Sequence, residues 1–204
     1  MRVSILGAGA GGAAAAVELS QAGHSVSLWS RSSDTIRPFM NARGVAYEGV
    51  LGEGLARPHL MTSDLDAAIA QTDVVLVCLP TLSHRPIAQL LVQAGLRTAT
   101  AVVLNPGHTG GALEFSQAYR DLGRDVPPIS EFSTLTYVAR KYQPHCVTVT
   151  GRANAVRAAA LPGGETALAA AQALFASARA VADVLASGLA KEWFAHREPP
   201  PEQD

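Results

Sequence analysis

Gly7, Gly9 and Gly12 stand in a G-x-G-x-x-G spacing, with an extra glycine at Gly11, directly after the apolar run Val3 to Leu6. That run is long enough for one buried strand, and the following Ala13-Ala14-Ala15-Ala16 strongly favours a helix. A strand, a glycine turn and a helix, in that order, make a site for a pyrophosphate. Gly7 permits the tight turn out of the strand. Gly9, without a Cβ, lets a phosphate reach the backbone, and Gly12 lets the helix pack closely. The helix N-terminus adds free amides and the positive end of a dipole. Dinucleotide binding through Gly7, Ala8, Gly9, Ala10, Gly11 and Gly12 is the chemistry this predicts.

The end of the second strand decides which dinucleotide. A helix to about Ala22 and a stop at Gly23 lead into Ser25 to Trp29, which reads as that strand. In NAD-selective folds an acid at its end accepts hydrogen bonds from the ribose 2′-OH. Here Ser30, Arg31 and Ser32 stand instead. A guanidinium flanked by hydroxyls suits a 2′-phosphate, so NADP is expected. NAD is the alternative, if Arg31 only stacks on the adenine or Asp34 folds back to the ribose.

Three further stretches lie where strands should end. Asp73 to Leu79 is a continuous apolar strand of the kind found inside parallel sheets. Leu79, Pro80 and the loop to His84 then sit at the ligand-binding edge, where His84 either touches the cofactor or caps the next helix. Thr100 to Leu104 is a strand followed by Asn105-Pro106-Gly107-His108-Thr109-Gly110-Gly111, a second glycine-rich turn into a helix. Its amides either hold an anion, such as a keto-acid carboxylate, or close a plain crossover. Residues 127–131 read as a last strand ending in Glu131, which either orients a substrate amine or a water, or is a solvated cap.

The elements holding these residues are those of an α/β, Rossmann-type doubly wound, mostly parallel sheet. Residues 35–63 read as a small excursion with short strands. Leu65 to Ala70 forms a short helix capped by Asp64, and Pro86 to Ala94 a longer one. Tyr137 to Arg140 and Cys146 to Thr150 read as two strands around Gln143-Pro144. Residues 1–162 are thus expected as the dinucleotide-binding domain, 163–194 as a C-terminal helical extension, and 195–204 as a disordered tail.

Composition limits the partners. The chain has 204 residues and a net charge of −1, which gives no electrostatic footprint for nucleic acid. No apolar run is long enough to span a membrane. The glycines, and Glu18, break the pattern of a secretory leader. Cys78 and Cys146 read as small buried hydrophobes of a reducing compartment, and the six histidines carry no metal-site spacing. A soluble cytoplasmic protein without a metal is expected.

Taken together these residues resemble the opine dehydrogenase family, which includes the octopine and nopaline dehydrogenases. The resemblance rests on the Gly7–Gly12 turn, on Leu104 to Phe115 (Leu-Asn-Pro-Gly-His-Thr-Gly-Gly-Ala-Leu-Glu-Phe), and on Glu131-Phe132-Ser133-Thr134-Leu135-Thr136-Tyr137. Leu79-Pro80 with His84, and Leu161-Pro162, match more weakly. Ketopantoate reductases share the opening but usually carry Gln-Asn-Gly after the strand that here ends in Leu104-Asn105. The resemblance covers about residues 1–185. It implies reduction of an imine, formed from a 2-keto acid and an amino acid, by hydride from NAD(P)H. It also implies a second, helical domain with a catalytic histidine. The chain departs from the family after Val184-Leu185, and His196 does not match that histidine's surroundings, so a truncated form is expected.

One surface remains to be covered. Leu168, Ala171, Leu174, Phe175, Ala178, Val181, Ala182, Leu185, Leu189 and Trp193 fall near a 3.6-residue period with a break near Ser177. A stripe left bare would pair two copies as a homodimer through residues 165–194. Folding back onto the chain's own sheet is the alternative.

Overall fold

A computed structural model of the chain describes residues 1–107 and 110–188. It opens with β1 (Arg2–Leu6), α1 (Ala10–Gln21) and β2 (Ser25–Trp29). Next come α2 (Ser33–Ala42), β3 (Val45–Gly49), β4 (Gly54–Ala56), β5 (Leu60–Thr62), α3 (Leu65–Ile69) and β6 (Val74–Val77). A single 3₁₀ turn, Thr81–Ser83, leads into α4 (His84–Gln93), β7 (Ala101–Leu104), α5 (Gly111–Asp121) and β8 (Ile129–Phe132). The described part closes with β9 (Tyr137–Gln143), β10 (Cys146–Arg152), β11 (Val156–Ala160), α6 (Glu165–Leu174), β12 (Ala178–Ala180) and α7 (Val184–Gly188).

Eight strands form the main sheet in the order β12-β11-β8-β7-β6-β1-β2-β5. All its neighbours are parallel except β11 against β8. The chain order reverses around β1, with β2 on one side and β6 on the other. Such a switch point leaves a crevice at the strands' C-terminal ends. The inner strands read as unbroken apolar runs because both faces are covered. Val74 and Leu76 pack with α1, while Val75 and Val77 pack with α4 and α5.

A second sheet, β4-β3-β10-β9, covers the outer side of α1. It joins segments a hundred residues apart, with Cys146 to Val149 of β10 running parallel to Ala46 to Gly49 of β3. Sandwiched between two sheets, α1 has no solvent face for most of its length. Gly12, Ala13 to Ala16, Val17 and Leu19 are all buried. A helix apolar all round is the expected answer to burial all round, and alanine keeps it slim enough to fit. The Tyr137 hydroxyl donates to Glu18 at 2.6 Å, and Arg152 reaches the same carboxylate at 2.9 Å, which ties this sheet to the helix.

Two stretches differ from their sequence reading. Residues 33–42 are a helix rather than part of a short-stranded excursion; the strands begin only at Val45. Only Ile36 and Phe39 of α2 are buried and Pro38 lies inside it, so its apolar signal is thin. The break near Ser177 is filled by a strand: β12 pairs in parallel with β11, Val156 opposite Ala178 and Ala158 opposite Ala180. Ala171, Leu174, Phe175 and Ala178 are buried in the chain's own core, and Leu168 packs against it. The association expected through 165–194 therefore loses most of its apolar surface to internal packing, leaving Leu185 exposed. Leu189, Trp193, His196 and the tail expected at 195–204 lie outside the described residues.

Candidate dinucleotide-binding site

The turn between β1 and α1 is built by exclusion. Gly7 has φ +117°, and a Cβ there would lie 2.5 Å from the carbonyl oxygen of Cys78, which follows β6. The neighbouring strand's exit thus demands this glycine, in addition to the turn itself. A Cβ on Gly12 would overlap the Gly7 carbonyl oxygen, so α1 seats directly on the turn. Gly9, the residue before α1, is different. Its φ of −71° is ordinary, and nothing lies within 4 Å of where its Cβ would be. The open space beside Gly9 is where an anion can approach the amides that open α1.

That space continues into a cavity of about 390 Å³. Its floor is Gly7, Ala8 and Gly9, and one wall is Trp29, Ser30, Arg31, Ser32 and Thr35 from the end of β2 and the start of α2. The facing wall is Leu79, Ser83, Pro86, Ile87 and Leu90, mostly from α4. Shape and lining suit an adenosine: an apolar slot against Ile87 and Leu90, with hydroxyls and a guanidinium opposite. Ser30 is buried, Arg31 is exposed, and the Ser32 hydroxyl makes no capping bond to α2. No carboxylate lines the cavity. Asp34, the alternative ribose partner, is engaged with Arg37 at 2.8 Å.

The sequence reading missed Trp29, Thr35, Ser83, Pro86, Ile87 and Leu90. The α4 residues carried a signal: at helical spacing after β6, they lie on the helix that faces the phosphate turn across the switch point.

Ala10, Gly11 and Gly12 open α1, and Pro80, His84, Asn105, Pro106, Gly107 and Glu131 are not among the residues lining this cavity. Asn105 is buried; its Nδ2 donates to the Thr136 hydroxyl at 2.9 Å, and its Oδ1 accepts from the Thr136 amide at 3.3 Å. The Asn105-Pro106 peptide is cis. Gly107 lies so close to Glu131 that a Cβ would overlap that side chain. The turn's amides are spent internally: Gly107 donates to Phe132 at 3.0 Å, Gly111 to Gly107 at 2.8 Å, and Ala112 to Glu131 at 2.8 Å. These three amides are therefore not free to hold an anion. His108 and Thr109 lie outside them.

Glu131 is 1% exposed. Its Oε2 takes the Ala112 amide at the start of α5, while Oε1 has no partner. It is a buried cap rather than the solvated one considered from sequence. Burial raises its pKa above the ordinary 4.5, against the lowering effect of the Ala112 amide. Between the unfolded and folded pKa values the native state holds a proton that the unfolded chain has released, so stability falls as pH rises through that window. Glu131→Gln removes this fall. Its melting temperature relative to the parent should rise as pH rises through that window, whereas Glu131→Ala, which also loses the cap, should cost roughly 1–2 kcal/mol below the window and less above it. A parent and a Gln variant with parallel pH profiles would show that the carboxyl titrates normally.

His84 is buried at the head of α4, its ring beside the backbone of Leu79 and Pro106. The absent side chain of Gly111 makes room for it, since a Cβ there would strike its ring. Burial lowers its pKa, against the raising effect of the Leu79 and Pro106 carbonyls. His84 is not among the residues that line the cavity. Cys78 and Cys146 are both free thiols, and burial pushes Cys78 up to about 12. No helix among the described residues is long and apolar enough to cross a membrane.

The family described as the NAD-dependent glycerol-3-phosphate dehydrogenase N-terminus matches residues 2–120. An opine dehydrogenase from Arthrobacter sp. (strain 1C) is 34% identical over 162 residues, 79% of this chain and 45% of that protein. The chain thus spans about half the length of this curated relative. Among solved structures, octopine dehydrogenase with NADH and L-arginine superposes with a TM-score of 0.76 at 20% identity, covering 91% of this chain and 49% of that one. Yersinopine dehydrogenase with NADP+ bound gives 0.74 at 17% identity, covering 91% and 48%.

Proposed function

This chain belongs to the family of the NAD-dependent glycerol-3-phosphate dehydrogenase N-terminus and is related to opine dehydrogenase, and from that premise we propose that it is the nucleotide-binding part of an opine-type oxidoreductase. The observation that carries this reading is the glycine turn opening into an adenosine-shaped cavity beside the switch point. The residues fit the group: Gly9 leaves room for a diphosphate, and the cavity matches a nucleoside. A nicotinamide dinucleotide bound there supplies the hydride. The substrate class is the imine of a 2-keto acid and an amino acid. Asn105, Pro106 and Gly107, with Leu79, Pro80 and His84 behind them, shape the nicotinamide end. Glu131 acts through the turn it holds, its Oε2 taking the Ala112 amide. A soluble cytoplasmic setting suits the two free thiols.

NADP(H) is the proposed cofactor. Arg31 reaches a 2′-phosphate with no acid on the cavity wall to repel it. One charged contact contributes about 1.5–3 kcal/mol, roughly ten- to a hundredfold in affinity. NADPH should bind tighter than NADH by that factor in calorimetry, and Arg31→Ala should remove most of the difference. Tighter binding of NADH by the unmodified protein would reverse the assignment.

A further inference from the structure

Lys141, on the edge strand β9, is a cation without an anion. Its Nζ lies 3.4 Å from the carbonyl oxygen of Ala8, inside the phosphate turn, and 4.3 Å from the centroid of the Phe39 ring of α2. No carboxylate pairs with it among the described residues. The acids of α1 and α2 are engaged elsewhere, Glu18 with Tyr137 and Arg152, and Asp34 with Arg37. The side chain is half-buried, and burial lowers its pKa. An ammonium in such a place usually has a charged partner. A backbone carbonyl and a ring face are weak substitutes that release it readily.

We propose that Lys141 is a phosphate-binding residue of the dinucleotide site, its ammonium leaving the Ala8 carbonyl for an oxygen of the diphosphate held at the start of α1. This rests on the dinucleotide reading given above. Ala8 separates Gly7 from Gly9, so a lysine resting there is already beside the open space at Gly9. Arg31 stands at the ribose end of the same cavity. The two cations therefore divide the ligand's charge, Arg31 toward the 2′-phosphate and Lys141 toward the diphosphate. The second sheet gains a function by this: besides covering α1, it delivers a charge that the first hundred residues do not supply at this turn.

The test uses ADP-ribose, which has the diphosphate but no 2′-phosphate, and adenosine 2′,5′-bisphosphate, which has a 2′-phosphate and a single 5′-phosphate in place of the diphosphate. Lys141→Met keeps the packing stem without the charge. It should weaken ADP-ribose about ten- to a hundredfold in calorimetry while changing the bisphosphate far less. Lys141→Arg should recover most of the loss, which a purely structural role would not predict. If Lys141→Met melts below the parent, Lys141→Gln serves in its place. Parent-like affinity for ADP-ribose in a folded Met or Gln variant would overturn the proposal, as would a loss confined to the bisphosphate. If the unmodified protein binds none of ADP-ribose, NADH or NADPH, the dinucleotide reading itself has failed.

Discussion

A Gly9→Val protein should fold as stably as its parent and lose nicotinamide dinucleotide binding by about a hundred- to ten-thousandfold. Stability is preserved because Gly9 sits at φ −71° with nothing within 4 Å of the added carbon. Binding is lost because the branched side chain fills the approach to the amides of Ala10 and Gly11. About two charged hydrogen bonds, at roughly 1.5–3 kcal/mol each, go with it. Gly12→Ala makes the contrast. Its Cβ would overlap the Gly7 carbonyl, so turn and helix must separate and the fold suffers together with the site. A thermal melt and a calorimetric titration of each variant check both halves. Unchanged NADPH affinity in a folded Gly9→Val protein would move the phosphate site elsewhere.

A polypeptide of these 204 residues, mixed with NADPH, pyruvate and an amino acid, should turn over about 10²–10⁴-fold more slowly than a full-length opine dehydrogenase. That is the usual contribution of general acid catalysis. Among the described residues, the titratable groups at the nicotinamide end are His84 and Glu131. Both are buried, His84 against Gly111 and Glu131 with one carboxyl oxygen bonded to the Ala112 amide. Buried so deeply, both are expected to be poor proton donors to a substrate nitrogen. Cofactor binding should be normal in the same preparation. Rapid NADPH oxidation by the pure protein would reverse this expectation, and Glu131 and His196 would then be the first residues to replace.

What could be read from sequence follows the range of the physical signal. The β1–turn–α1–β2 unit is local: its glycines, alanine run and strand residues lie within thirty positions and each constrains the next. The capping of α3 by Asp64, whose Oδ1 accepts from the Ala67 amide at 3.1 Å, is equally local. α2 was hidden because only Ile36 and Phe39 face the core and Pro38 interrupts the pattern. The parallel pairing of β3 with β10 was hidden for another reason. Strand residues such as Val45 and Val147 announce burial but not their partner. The same non-local pairing is what carries Lys141 to Ala8, so the lysine had no sequence signal as a site residue. β12 was masked by the helical periodicity of Leu168 to Ala178, which the edge of β11 overrides with three ladder positions.

The enclosure of α1 between two sheets has a consequence for the order of events during synthesis. The phosphate turn is encoded in the first dozen residues, but the layer that buries the helix behind it is completed by Cys146–Arg152. Until that segment leaves the ribosome, the outer face of the Ala13–Ala16 run is uncovered. The nascent βαβ unit is then a helix with two apolar sides and one partner. Closing a hundred-residue loop to cover it makes the topology one of high contact order, and such pairings form late. The nucleotide site therefore precedes its covering layer in the chain and is among the last features to become rigid. A ligand that waits at the α1 N-terminus, with Lys141 arriving on β9, would stabilise the finished state and not its precursor.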